Sequence, residues 1–231
     1  MQMALILFDI DGILIHPIPN RYDAKIREEL IRELFPGSVP KDIYTQGKTH
    51  WQILVEQLEQ IGVTDPEHDS RFLPALKRQN ELYAQKHPDG IERIAGVDRL
   101  IARLVSDQYT IGVLTGNVKE AARVKLQAVG FWNYFPIGAF GDQSRERHKL
   151  VEIARQDALA KTGKRFVNNE IILIGDTIRD IECAQKAGVG IIAVATGPEA
   201  YELLVDKKPD FVFQDFSNVD EIMKAIQSMC R

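Results

Sequence analysis

Two aspartates near the start of the chain are the first candidates for chemistry. Asp9 and Asp11 follow the apolar run ALILF, and Gly12, which lets the backbone turn sharply, follows them. A carboxylate in this place can act as a nucleophile, because aspartyl-phosphate is a known covalent intermediate. A second carboxylate two residues on can act as acid and base. Two acids that cap a turn at the end of a strand would show the same pattern.

A second group of polar residues follows another apolar run. Thr115, Gly116 and Asn117 come after TIGVL and open a helical pattern. A hydroxyl group and backbone N–H groups at the N-terminus of a helix form a site for an anion such as phosphate. The competing interpretation is that Thr115 or Asn117 only caps the helix.

Two further acids stand in LIGDTIRDIECAQKAG. Asp176 ends an apolar run, and Asp180 lies four residues later, so both can face the same side of the first helical turn. Together with Asp9 they place three carboxylates near one rim, where they repel one another unless protons or a cation neutralise them. Oxygen ligands of this kind around a phosphate suit Mg²⁺. A capped helix with a solvated acidic face is the alternative.

Short apolar runs rich in Ile, Val and Leu must position these residues. Such runs are typical of strands buried on both faces of a parallel sheet. They lie at 4–8, 110–115, 170–175, 190–196 and 210–213. Amphipathic helical patterns alternate with them, which predicts an α/β layered fold. Ligands of open α/β sheets bind outside the carboxyl ends of strands, and the candidate residues follow those ends.

One long interruption breaks the alternation. Between the first predicted strand and a helical pattern near residue 97 lie roughly 80 residues, far more than an ordinary loop. Three helical patterns fill them, so we expect an all-helical insert with its own small core. The segments HPIPN and HPDG mark its ends. The predicted division is therefore a core domain of residues 1–15 and 90–231 and a helical domain of residues 16–89.

Composition excludes several classes of protein. The chain has 231 residues, 45% of them hydrophobic, with a net charge of −4 and two cysteines. These values indicate one large or two modest globular domains and exclude a small disulfide scaffold. The slight acidity argues against a dedicated nucleic-acid binder. No apolar stretch approaches the ~20 residues of a membrane span, and the first residues do not resemble a signal peptide. We expect a cytoplasmic monomer or homodimer with no nucleic-acid or membrane partner.

Taken together, the motifs resemble those of the haloacid dehalogenase-like (HAD) hydrolase superfamily. They stand in the family's order as Asp9-Ile10-Asp11-Gly12, Leu114-Thr115-Gly116-Asn117 and Gly175-Asp176-Thr177-Ile178-Arg179-Asp180. The resemblance covers nearly the whole chain. It implies an α/β fold: a doubly wound, Rossmann-like parallel-sheet core with an α-helical cap domain. The insert resembles the C1 cap of phosphoglycolate phosphatase-like members.

The resemblance also implies roles for the residues. Asp9 would attack the phosphoryl group, and Asp11 would protonate the leaving alcohol and later activate water. Mg²⁺ would be held by Asp9, the Asp11 carbonyl and Asp176, with indirect support from Asp180. Thr115 and the amides of Gly116 and Asn117 would bind phosphate oxygens. The implied function is Mg²⁺-dependent hydrolysis of a small phosphate monoester through an aspartyl-phosphate. A phosphomutase of the β-phosphoglucomutase type and a catalytically idle binding protein remain as alternatives.

The basic residue of the family's third motif has three candidates. Arg145, Arg147 and Lys149 cluster before a helical pattern, and the usual Lys-Pro pair is absent. An arginine shortly before a leucine at the start of this helix is a known variant, which selects Arg147. Lys149 is the next candidate, as a phosphate-binding residue.

A loop in the helical insert resembles one that carries substrate choice in C1-capped members. In QGKTHWQIL, Gly47, Lys48 and Thr49 match its Gly-x-Thr pattern. Lys48 could contact an anion of the substrate. Equally, Thr49 could cap the next helix while Lys48 is solvated. His50 stands where many members have Asp, so the preferred substrate is expected to differ.

Overall fold

Six parallel strands form one sheet in the part of the chain that the computed structural model describes, residues 4–18, 21–39 and 41–230. The strands are β1 (Leu5–Phe8), β2 (Thr110–Leu114), β3 (Ile137–Ala139), β4 (Ile171–Gly175), β5 (Gly190–Val194) and β6 (Phe211–Phe213). The helices are α1 (Tyr22–Leu34), α2 (His50–Gln60), α3 (Phe72–Gln85), α4 (Val97–Ser106), α5 (Lys119–Ala128), α6 (Lys149–Thr162), α7 (Ile178–Ala187), α8 (Tyr201–Asp206) and α9 (Val219–Met229).

The central strand β1 shows why apolar runs form this sheet. All four of its residues are buried, because side chains alternate between two covered faces. Ile6 and Phe8 pack in the cluster that includes residues of α4 and α9. Leu5 and Leu7 pack in a second cluster with residues of α6 and α7. Helices therefore cover both faces of the sheet, as the continuous apolar pattern predicts.

The strand order is β3-β2-β1-β4-β5-β6, and each neighbouring pair is parallel. The chain winds outward from β1 in one direction through β2 and β3, then in the other through β4 to β6. This arrangement is the doubly wound, Rossmann-like sheet, so the predicted fold class is confirmed. The point at which the direction reverses lies beside β1, and a crevice forms there at the carboxyl ends of the strands.

Helices α1, α2 and α3 form the helical segment, residues 22–85, between β1 and α4. Its buried side chains make their own apolar cluster, in which Trp51 meets Phe72 with ring centroids 5.1 Å apart. Val118 and Ala121, beside and within α5, belong to the same cluster, so the segment packs on that helix. All three helices fall within the predicted helical domain, and the six strands fall outside it.

The structure differs from the predicted elements in three places. Strand β3 is absent from the predictions because its three residues are too few to show a period. The helical pattern EHDSRFLPALKRQNELYAQKH predicts an earlier start for α3 than the observed Phe72, because a 3₁₀ turn at Pro66–His68 precedes the helix. Helices α8 and α9 were also not predicted. Among the described residues, no helix is both long and apolar enough to cross a bilayer.

Candidate active site

Asp9 lies at the centre of the site, directly after β1. Its backbone N–H donates to the carbonyl of Ile174 in the neighbouring strand (3.0 Å), so the sheet fixes its position. The side chain is buried, and Oδ1 accepts a hydrogen bond from the backbone of Ile10 (2.8 Å). Oδ2 lies 2.8 Å from Nη2 of Arg147. One carboxylate oxygen is thus held by the main chain and the other by a cation.

Arg147 joins two of the predicted acids. Besides Asp9, its Nη2 contacts Oδ1 of Asp180 at 2.6 Å, and the arginine side chain is almost fully buried. A buried guanidinium needs such partners because removing its charge from water is costly. The contact fixes the loop before α6 against the carboxyl ends of β1 and β4.

Three carboxylates meet where the sequence predicted a metal site. One oxygen from each of Asp9, Asp176 and Asp180 lies within 4.8 Å of the others. Burial raises the pKa of Asp9 to about 6, although Arg147 opposes this, and Asp180 and Asp11 add to it. Burial and the neighbouring acids also raise the pKa of Asp176 well above its ordinary value. Negative charge is therefore disfavoured here unless a cation compensates it.

The oxygen atoms of the cluster differ in their availability. Oδ1 of Asp176 is buried and has no hydrogen-bond partner in the described part of the chain. Asp180 has both oxygens occupied, because Oδ2 accepts from the backbone N–H (3.1 Å) and hydroxyl (2.6 Å) of Thr177. These bonds complete a capping box at the start of α7. The orphaned oxygen of Asp176 beside Asp9 fits a hard divalent cation such as Mg²⁺.

The loop after β2 supplies polar groups on the other side of β1. Nδ2 of Asn117 donates to Oδ2 of Asp11 (2.7 Å) and to the hydroxyl of Thr115 (2.9 Å). There is no room for a side chain at Gly116, because a Cβ there would lie 2.1 Å from the carbonyl oxygen of Lys48. The backbone N–H of His50 donates to the Gly116 carbonyl (2.8 Å). The backbone of the helical segment therefore lies in direct contact with the backbone of this loop.

A cavity of about 170 Å³ lies between the strand ends and the helical segment. The sheet side contributes Asp9, Asp11, Thr115, Gly116, Asn117, Arg147 and Asp176, and the helical side contributes Asp23, Arg27, Gly47, Lys48 and His50. Acids, hydrogen-bond donors that suit phosphate and cations thus line one small cavity.

Comparison with known proteins decides the family. The model of the haloacid dehalogenase-like hydrolases matches residues 6–194. The chain belongs to this family. The curated relatives of this HAD hydrolase include a phosphoglycolate phosphatase of Pectobacterium atrosepticum, 25% identical over 92% of this chain and 88% of the relative. A pyrophosphatase PpaX of Listeria monocytogenes is 25% identical over 96% of this chain and 97% of its own length.

Solved structures agree on the fold of this HAD hydrolase. A β-phosphoglucomutase of Clostridium difficile superposes with a TM-score of 0.68 at 19% identity, over 99% of this chain and 98% of that one. Identity this low supports a shared fold and nothing finer. The resemblance predicted from the motifs, and with it a hydrolase of this family, is confirmed.

The three candidates for the third motif separate clearly in space. Only Arg147 reaches the acids, as the previous distances show. Arg145 pairs with Glu67 of the helical segment (2.8 Å). Lys149 is 62% exposed and pairs with Glu146 (2.9 Å), so the structure does not bring this predicted phosphate-binding residue to the cavity. Lys149 is the first residue of α6, and its side chain follows the solvent-facing side of that helix.

Two of the three residues predicted to bind substrate in the loop of the helical segment line the cavity, and the third does not. Gly47 and Lys48 line the cavity, but Nζ of Lys48 is already paired with Glu56 (2.5 Å). Thr49 is fully buried and caps α2, because its hydroxyl accepts from Gln52 (3.1 Å). The same hydroxyl donates to the carbonyl of Arg145 (3.0 Å). Its contacts make Thr49 a link between segment and core and not a group that faces the cavity.

Sequence reasoning missed one residue of the HAD site, Lys125. It lies on α5 with 1% of its side chain exposed, and its ammonium contacts both oxygens of Asp11 (3.0 and 3.1 Å). A lysine in an amphipathic helix is ordinarily interpreted as a surface residue. Helical spacing could have identified Lys125 as a buried residue. It lies four residues after Ala121 and three after Ala122, and both alanines are fully buried.

Proposed function

We propose that this chain is a phosphatase that hydrolyses a small phosphate monoester through an aspartyl-phosphate on Asp9. The observation that carries the proposal is the position of Arg147 between Asp9 and Asp180, beside the unpartnered oxygen of Asp176. Transfer of a phosphoryl group requires a nucleophilic carboxylate beside hydrogen-bond donors that can hold the phosphate oxygens. The similarity to a phosphoglycolate phosphatase and to a pyrophosphatase supports the same chemistry.

The proposed metal is Mg²⁺, held by the side chains of Asp9 and Asp176 and by the backbone carbonyl of Asp11. Asp180 contributes indirectly, because its oxygens are occupied by Arg147 and Thr177. When bound, the ion supplies positive charge that lets an anionic ester approach an anionic nucleophile.

In the first step, an oxygen of Asp9 attacks phosphorus as the bond to the leaving alcohol breaks. The hydroxyl of Thr115 and the amides of Gly116 and Asn117 hold the phosphoryl oxygens. Arg147 is already 2.8 Å from the nucleophile and neutralises charge that develops on those oxygens. Catalysis therefore depends mainly on positioning and electrostatics.

Asp11 serves both steps as acid and then base. It gives a proton to the departing alcohol oxygen and later removes one from the water that attacks the aspartyl-phosphate. Its carboxylate faces the cavity and is oriented by Asn117 and Lys125.

We further propose that residues 16–89 act as a cap that closes the cavity to bulk water. In support, the start of α2 is bound to the core through main-chain atoms. The N–H groups of His50 and Trp51 donate to the carbonyls of Gly116 and Gly141, both at 2.8 Å. Exclusion of water protects a reactive intermediate from side reactions.

The test is phosphate release from p-nitrophenyl phosphate, phosphoglycolate, pyrophosphate, sugar phosphates and nucleotides. Each is run with Mg²⁺ and with EDTA, on the wild type, on Asp9→Asn and on Asp206→Asn, an exposed acid of α8, as the matched control. We expect release that needs Mg²⁺ and Asp9 and is unchanged in the control. Turnover by pure Asp9→Asn protein would remove Asp9 as nucleophile. An isomer formed from glucose 1-phosphate, in place of free phosphate, would point to a mutase.

A further inference from the structure

Besides Asp11, Lys125 contacts an acid that has no part in the chemistry above, Asp23. Its Nζ lies 3.0 and 3.1 Å from the oxygens of Asp11, 2.8 Å from Oδ1 of Asn117 and 3.2 Å from Oδ2 of Asp23. One buried ammonium therefore serves two carboxylates and an amide. Asp11, Asp23 and Lys125 all line the cavity, and only 1% of the lysine side chain is exposed.

The partners of Lys125 come from two different parts of the chain. Asp11 and Asn117 follow strands of the sheet, but Asp23 lies in the first turn of α1, in the helical segment. The hydroxyl of Tyr83 in α3 donates to the other oxygen of Asp23 at 2.8 Å. Tyr83 is fully buried among the segment's apolar side chains. Asp23 is therefore anchored in the helical segment and not in the sheet.

We propose that Lys125 is a positioning residue that links the seating of the helical segment to the orientation of Asp11. While Asp23 holds one side of the ammonium, the other side fixes both oxygens of Asp11 and the amide of Asn117. When the segment moves away, Lys125 loses a carboxylate partner and gains access to water, so its hold on Asp11 weakens. This inference rests on the role proposed above for Asp11.

The orientation of Asn117 follows from the same contact. Because Oδ1 accepts from Lys125, Nδ2 must point toward Asp11 and Thr115. Asp11 is consequently oriented by two donors, one of which is itself set by the lysine. Loss of the ammonium frees the carboxylate and the amide together.

The variants Lys125→Met, Asp23→Asn and their combination test the link. Lys119→Met, an exposed lysine on the same helix, and Glu33→Gln, an exposed acid on α1, are matched controls. For each protein, kcat and KM are measured at saturating Mg²⁺ with p-nitrophenyl phosphate and with an alkyl phosphate. Thermal unfolding reports whether each variant is folded.

A role in positioning the acid makes the loss depend on the leaving group. p-Nitrophenolate departs without a proton, whereas an alkoxide needs one. Release of the alcohol is reported by kcat/KM, because both esters share the later hydrolysis of the aspartyl-phosphate. We expect Lys125→Met to lower kcat/KM about 100-fold for the alkyl phosphate and less than about 10-fold for p-nitrophenyl phosphate. Asp23→Asn, in which Lys125 keeps its contact to Asp11, should lower kcat/KM for the alkyl phosphate by about 10-fold. The double variant should be no slower than Lys125→Met.

Three outcomes overturn the inference while leaving the phosphatase intact. These are equal losses of kcat/KM for both esters, an Asp23→Asn variant with the kcat/KM of the wild type, or effects of the two substitutions on kcat/KM that multiply in the double variant. A wild type and controls that release no phosphate from any ester would instead remove the proposed function, and this inference with it. If Lys125→Met does not fold, the Asp23→Asn variant alone tests the inference, because Lys125 keeps its ion pair with Asp11 in that variant.

Discussion

Replacing Asp9 by Asn should make the metal-free protein more stable, although it removes the proposed nucleophile. The reason is the raised pKa of Asp9, which shows that burial and neighbouring acids outweigh the attraction of Arg147. Asparagine resembles the protonated carboxyl, and its Oδ1 can still accept from the backbone of Ile10. Arg147 keeps its contact with Asp180. The variant therefore loses an unfavourable charge without losing the surrounding structure.

The magnitude follows from the two pKa values. The folded state raises the pKa from 3.8 to about 6, which at about 1.4 kcal/mol per pH unit comes to about 3 kcal/mol. Because the folded state binds the proton more tightly, the penalty is absent below pH ~4, grows up to pH ~6 and is complete above it. For a chain of this size 1 kcal/mol shifts Tm by roughly 2–4 °C, so Asn at position 9 should raise Tm by roughly 6–12 °C at pH 7.5.

The assay is thermal unfolding followed by circular dichroism in EDTA at pH 7.5 and pH 4.5. Asp180→Asn is the contrasting variant, because Asp180 pairs with Arg147 and caps α7, and it should lower Tm at pH 7.5. Mg²⁺ should raise Tm of the wild type more than that of Asp9→Asn. The reasoning is refuted if Asp9→Asn unfolds no later than the wild type at pH 7.5, or if its advantage is the same at pH 4.5.

Three further substitutions test the site. Gly116→Ala should lower kcat/KM by about 100-fold in a phosphatase assay, because its Cβ would lie 2.1 Å from the Lys48 carbonyl and push the helical segment away. Burial lowers the pKa of His50 to about 3, so its neutral form stabilises the fold above pH 6.5 and this stability is lost as the pH falls. Between pH 6.5 and 5 the wild type should lose up to about 2 kcal/mol relative to His50→Gln in urea unfolding. Lys149→Ala should keep kcat/KM within about twofold, since its exposed ion pair contributes little.

The sheet was predictable because its strands are buried on both faces. A run such as LILF has no polar residue that could face water, so only a covered parallel sheet suits it. The three residues of β3 carry no such signal, and their place at the sheet edge comes from pairing with β2. The helical segment was predictable from its length and periodicity, but the surface on which it packs was not.

The acids of the site were predictable because each follows a strand end on one edge of the sheet. The choice of Arg147 over Lys149 depends on how the loop before α6 turns, which spacing alone does not determine. Lys125 depends on contacts between residues about a hundred positions apart, with Asp11 and Asp23. Local sequence patterns cannot show that a lysine has two distant carboxylates as partners.

Each of the two carboxylates that we propose to react is held by a cation that also contacts a second acid. Arg147 bridges Asp9 to Asp180, and all three residues lie at the carboxyl ends of the sheet or at the start of the helices beside it. None of them belongs to the helical segment. The proposed nucleophile is therefore oriented mainly by the core, although Nη1 of Arg147 also donates to the Gly47 carbonyl of the helical segment (3.4 Å).

Lys125 bridges Asp11 to Asp23, and this second bridge crosses from the core to the helical segment. Attack by Asp9 on an ester with a good leaving group needs only the first bridge. Departure of an alkoxide and attack by water on the aspartyl-phosphate need Asp11 in place, and so need both. Movement of the segment should consequently slow hydrolysis of the intermediate more than its formation from an activated ester. Under the proposed mechanism, water would be activated only while the segment is seated, so the covalent intermediate would be hydrolysed while the cavity is closed to bulk solvent.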